Sequence, residues 1–67
     1  MSDFVGTNLR LIRLFHDLSL TELGERVGVS KQFLSRVETG AESVAAPLEN
    51  SLAEELDVLP EFFYHLD

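Results

Sequence analysis

Gly28-Val29-Ser30 separates two short stretches that both read as helices, and a connection of this length restricts how two helices can meet. Ser19-Leu20-Thr21-Glu22 has the spacing of a capping box. The Ser19 hydroxyl can accept from the Glu22 N–H while the Glu22 carboxylate reaches back to the Ser19 N–H. A helix is therefore expected from about residue 20 to 27, and Gly28 supplies the positive φ with which helices often end. Ser30 caps the next helix, over 31–39, and Gly40 stops it. So short a turn makes the two helices cross steeply instead of lying antiparallel. Leu23, Val27, Val29, Leu34 and Val37 take the inward positions, and Gly24 sits where the helices approach closely and a small residue is needed.

Helical spacing continues on both sides. Over residues 4–16, Val5, Leu9 and Ile12 form one stripe, with Phe4, Leu11 and Phe15 on a neighbouring one, giving a wide apolar arc. Leu48, Leu52 and Leu56, at i, i+4 and i+8, give a fourth helix its buried stripe, with Pro47 in its first turn. Asp57-Val58-Leu59-Pro60 breaks that pattern, and a final short helix is expected over 61–66. Strand periodicity is nearly absent. The expected fold class is all-α: a compact bundle of five helices forming one domain over residues 1–67. A chain of this size buries only about 60% of its unfolded surface, so the aromatics are needed inside. Phe62, Phe63 and Tyr64 are expected to close the core against Phe4, Leu11 and Phe15; the alternative is an exposed patch for dimerisation or docking.

Several functions are disfavoured. With no cysteine and only His16 and His65, both read as ordinary surface residues, neither a disulfide framework nor a zinc motif is visible, so no metal and no cofactor are expected. No paired carboxylates or nucleophile–base set can be assembled, so no catalytic residue is assigned and an enzyme is the least favoured reading. No apolar run reaches membrane-spanning length and the N-terminus is not that of a signal peptide, so a cytoplasmic protein without membrane contact is expected. The charge is divided unevenly. Residues 1–40 hold five basic and five acidic side chains, whereas residues 41–67 hold seven acidic and no basic ones, which accounts for the whole net charge of −7. Such a division suggests two faces with different partners.

Residues 19–40, SLTELGERVGVSKQFLSRVETG, resemble the helix-turn-helix of the phage-repressor (XRE, Cro/C1) family. Gly6 and Arg13 in the first helix, the run 23–30, Val37-Glu38-Thr39-Gly40, and the stretches 52–53 and 56–58 carry the resemblance across most of the chain. Pro60-Glu61-Phe62-Phe63 is similar to the DNA-binding domains that precede metallopeptidase-like domains of the ImmA/IrrE type. The resemblance implies a lambda-repressor-like DNA-binding fold and a transcriptional regulator, a repressor, that reads an operator in double-stranded DNA as a homodimer with its third helix in the major groove. It implies base contacts from Lys31, Gln32, Phe33 and Arg36, and phosphate contacts from Ser19, Thr21, Ser30 and Ser35. Phe33 can instead pack partly against its own domain. The family pattern also pairs an Arg of the first helix with the Glu of E-x-G, here Arg13 with Glu38.

Two departures weaken the grip on DNA. Leu20 stands where the family often has Gln on a phosphate, and Ala41-Glu42 stands where it tends to be basic. Arg26 is expected to be balanced by Glu22 or Glu25, and the dimer surface is expected in the last two helices. The alternative function is a protein-interaction module or antitoxin-like regulator, binding a protein partner through its acidic, apolar C-terminal half.

Overall fold

The computed structural model describes residues 3–64, which form four α-helices and a C-terminal 3₁₀ turn, with no strand among them. The helices are α1 (Gly6–Phe15), α2 (Leu20–Val27), α3 (Lys31–Thr39) and α4 (Ala46–Glu55). The capping box at Ser19 is complete, with Ser19 N–H donating to Glu22 at 2.8 Å and Glu22 N–H donating to Ser19 Oγ at 3.0 Å. Ser30 Oγ accepts from the Phe33 N–H at 3.1 Å, and Gly28 and Gly40 end α2 and α3 at φ 80° and 87°.

The fifth helix is corrected. Pro60–Tyr64 is a 3₁₀ turn, and Leu66 lies outside the described residues. The Phe62 N–H bonds back three residues to the Leu59 carbonyl at 2.9 Å. Five residues are too few to nucleate a stable α-helix, and the tighter turn suffices to aim Phe63 inward. The all-α class stands, with four helices. The first helix also begins later than its pattern suggests. Val5 is extended and its N–H donates to the Phe63 carbonyl at 2.6 Å, which ties the segment before α1 to the C-terminal turn and holds helical geometry back to Gly6.

Leu9, Leu18, Leu23, Leu34, Val37, Leu52, Ala53, Leu56 and Phe63 form the buried core. Phe4 stacks on Phe63 with ring centroids 5.1 Å apart, and Tyr64 meets Phe4 edge-on. The Tyr64 hydroxyl donates a hydrogen bond to the Glu49 carboxylate, which raises the Tyr64 pKa and ties the turn to α4. Leu11 and Phe15 are exposed, contrary to the expectation that they line the core. The apolar arc of α1 is wider than the surface that α3 and the 3₁₀ turn can cover. Leu18, just past the end of α1, is buried as well. Asp17 adopts a left-handed φ of 59°, and the Leu18 N–H returns to the Arg13 carbonyl at 3.1 Å, turning Leu18 under the helix end.

Candidate nucleic-acid interface

Crossing α2 and α3 requires their backbones to come close at Gly24. A Cβ there would lie 2.5 Å from the Val29 carbonyl oxygen, inside the turn. At Gly6, a Cβ would overlap the Val37 carbonyl and lie 2.5 Å from that of Glu38, so α1 rests directly on the C-terminal half of α3. These two contacts set the angle at which α3 leaves the body.

The buried face of α3 consists of Leu34, Val37 and Glu38. Gln32 and Arg36 lie on the opposite side at i and i+4 and are exposed, as is Lys31 in the first turn. Ser35 lies on one flank and is half-buried. Phe33 lies on the other, half-buried and packed against the core, with the Arg36 guanidinium 5.9 Å from its ring centroid. Ser19 and Ser30 are exposed at the N-termini of α2 and α3, with Thr21 exposed in the first turn of α2. Each serine oxygen accepts a capping bond, which leaves its hydroxyl proton available to an outside acceptor. The N-terminal ends of both helices therefore offer hydroxyls and unsatisfied backbone N–H groups, the chemistry that binds phosphate.

The helix holding this face is locked from behind. Arg13 Nε donates to Glu38 Oε2 at 2.6 Å, Nη2 donates to Oε1 at 3.1 Å, and Nη1 donates to the Leu18 carbonyl at 2.8 Å. Every buried polar side-chain atom among the described residues has a partner.

The charges are paired differently from the sequence expectation. Arg26 bonds Glu55 of α4 at 3.0 Å, not Glu22 or Glu25. Arg36 Nε donates to Glu42 at 3.1 Å, so the acid after Gly40 touches a candidate reader directly. The closeness of residues 36 and 42 follows from the tight exit at Gly40, where the Ala41 N–H bonds the Arg36 carbonyl at 2.8 Å. Arg10 and Lys31 are the cations without a carboxylate partner among the described residues. The Glu22 carboxyl is held below its ordinary 4.5 by the backbone and then the hydroxyl of Ser19, with a weaker pull from Arg26. His16 is tied down: its Nε2 lies 2.7 Å from the Leu56 carbonyl. His65 lies outside the described residues. No three His, Cys, Asp or Glu side chains among those residues group into a metal site.

Two capped helices crossing at a glycine, joined by Gly28-Val29-Ser30 and presenting polar groups from the second, define a helix-turn-helix domain. The chain belongs to the helix-turn-helix domain family, which matches residues 5–61, and its relatives are of the phage-repressor (XRE, Cro/C1) type. It is 35% identical over 54 residues to antitoxin PezA of Streptococcus pneumoniae, a match covering 81% of this chain and 34% of that protein. It is similar in structure to the restriction-modification controller protein C.AhdI of Aeromonas hydrophila, with a TM-score of 0.82, 29% identity, and coverage of 88% of this chain and 89% of that one. It is also similar to the biofilm master regulator SinR of Bacillus subtilis, solved in complex with DNA, with a TM-score of 0.81, 27% identity, and coverage of 87% and 97%. The chain spans less than half the length of the curated relatives it matches.

Proposed function

We propose that this chain is a sequence-specific double-stranded DNA-binding regulator of transcription that acts as a repressor by occupying an operator. α3 enters the major groove, where Lys31, Gln32 and Arg36 donate to base edges and Phe33 offers an apolar edge to a thymine methyl. Ser19, Thr21, Ser30 and Ser35, with the backbone N–H groups at the two helix starts, fix the register on phosphates. The observation that carries this reading is the exposure of Gln32 and Arg36 on a helix whose opposite face is locked by the Arg13–Glu38 pair. No catalytic step and no cofactor enters it, and its place of action is the cytoplasm, where bacterial-type operators lie. Among the described residues no helix is long and apolar enough to cross a membrane.

The functional unit is a homodimer. One module buries only about 600–1,000 Å² on DNA, and a two-fold pair reads half-sites about 34–36 Å apart. The test is selection of duplexes from a random pool, followed by sequencing. An enriched palindrome with half-sites one helical turn apart supports the reading, and a pool that stays random after repeated rounds contradicts it.

A further inference from the structure

α1 carries three large apolar side chains on the side opposite its buried face. Leu11, Leu14 and Phe15 are 62%, 51% and 79% exposed, and at i, i+3 and i+4 they lie across the helix from Leu9 and Arg13. The other exposed large hydrophobic residue among those described is Leu59, at 67%. It belongs to a segment that runs antiparallel along the flank of α1. His16 Nε2 lies 2.7 Å from the Leu56 carbonyl, Asn8 Nδ2 donates to the Phe62 carbonyl at 3.0 Å, and the Val5 N–H donates to that of Phe63 at 2.6 Å. Leu59 falls midway between the first two anchors. Leu59 also faces the end of α4, in a shallow cleft with Asn50, Ala53 and Glu54. Val58, Leu59, Glu61 and Phe62 line a second shallow cleft of about 400 Å³. Leu11, Leu14 and Phe15 thus make one exposed apolar strip on α1, whereas scattered surface hydrophobics would need no explanation.

The rim of the strip is acidic. Asp17 sits at the end of α1, and Asp57 and Glu61 sit on the flanking segment. All three are exposed and none is in an ion pair among the described residues. Arg10 is the one basic rim residue. A second copy of the chain suits this surface poorly. Each copy carries a net charge of −7, and two such rims would repel. Pairing through α1 would also turn the two α3 helices to opposite outer sides, because α3 lies against the buried face of α1.

We propose that this face seats an amphipathic helix of a partner protein, with an apolar stripe bordered by Lys or Arg. The apolar stripe covers Leu11, Leu14 and Phe15, and the basic border meets Asp17, Asp57 and Glu61. Since the face points away from the exposed side of α3, such a partner binds whether or not DNA is present, and the proposal does not rest on the DNA-binding reading.

The test is calorimetric titration with a synthetic amphipathic helical peptide whose leucine stripe is flanked by Lys, and with a twin carrying Glu at each Lys position. The Lys peptide is expected to bind one to one, roughly tenfold tighter than its twin, and to weaken as salt is raised. Binding is expected to be lost in the Leu14→Asn/Phe15→Ser double variant and kept in Gln32→Ala. The Asp17→Lys/Glu61→Lys variant should prefer the Glu twin, and it decides the matter if the apolar variant fails to fold. Equal binding of both twins, no binding of the Lys peptide at millimolar concentration, or binding untouched by either double variant would overturn the proposal. So would a concentration-dependent dimer that Phe15→Ser dissolves, since a second copy would then cover the face.

Discussion

The guanidinium of Arg13 meets the carboxylate of Glu38 through two hydrogen bonds, at 2.6 and 3.1 Å, with both residues less than a tenth exposed. The pair joins the last turn of α1 to the last turn of α3, the helix that presents the exposed polar face. Removing one partner strands a buried charge, which costs about 3–5 kcal/mol. Arg13→Ala and Glu38→Ala are each expected to lower the urea midpoint by an amount of that order. Replacing both residues by apolar ones of similar volume, Arg13→Met with Glu38→Leu, should destabilise less than either single change. Single variants with unchanged midpoints would show that the pair is dispensable.

The two glycines of the helix-turn-helix are required for different reasons, and alanine separates them. At Gly24 the obstacle is the Val29 carbonyl oxygen, 2.5 Å from a new Cβ, so Gly24→Ala must move backbone. A loss of about 2–3 kcal/mol is expected, of the order seen for overpacked cores. At Gly28 the space is open and only the φ of 80° is unfavourable, so Gly28→Ala should cost about 1–2 kcal/mol and Gly28→Asn less. Thermal unfolding of the three variants checks this order.

The capping box gives the stability a pH dependence whose sign follows from Glu22. Its folded pKa lies below its ordinary 4.5, so the carboxylate's contribution is complete above about 4.5 and is lost as pH falls through the lower folded value. Glu22→Gln retains an acceptor for the Ser19 N–H but cannot ionise. It should melt below the parent at neutral pH, and the gap should close as the solution is acidified. A gap that stays constant across this range would remove Glu22 as its source.

The pairing of Arg36 with Glu42 makes a quantitative statement about DNA. Arg13, Arg26 and Arg36 are engaged with Glu38, Glu55 and Glu42, which leaves Arg10 and Lys31 as the cations free of carboxylates among the described residues. Arg10 borders the α1 face that points away from α3, so with about two free cations facing DNA in a dimer, the slope of log K against log salt should be about −2. Glu42→Gln should release Arg36, tighten binding to DNA by severalfold, and steepen the slope by about one per copy. A slope near −10 for the parent, or no change in the variant, would contradict this distribution of charge.

Local signals were legible in the sequence where chemistry and position coincide. The serine caps, the glycine stops and the three-residue turn depend only on neighbouring residues, and α2 and α3 have the bounds that those residues predict. Signals set by packing between distant segments were not legible. The apolar arc of α1 contains more hydrophobic surface than the rest of the chain can cover, and no periodicity shows which stripe loses. Leu11 and Phe15 therefore looked like core residues and are exposed. Leu18 reveals its role only once Asp17 takes a left-handed backbone angle, which glycine would have announced more clearly. In the candidate interface, the residue types on α3 could be read directly. The contact of Glu42 with Arg36 depends on how the chain leaves Gly40, and that of Arg26 with Glu55 depends on how α4 packs against α2.

The central claim is that the exposed side of α3 reads DNA sequence. Fluorescence anisotropy on the duplex selected from a random pool tests it, comparing the parent with Gln32→Ala and Arg36→Ala on the selected site and on single-base variants of it. Each substitution is predicted to weaken binding by about 1–3 kcal/mol and to abolish the preference at one base pair while leaving the others intact. Variants that bind as tightly as the parent and discriminate the same bases would place sequence reading somewhere other than α3.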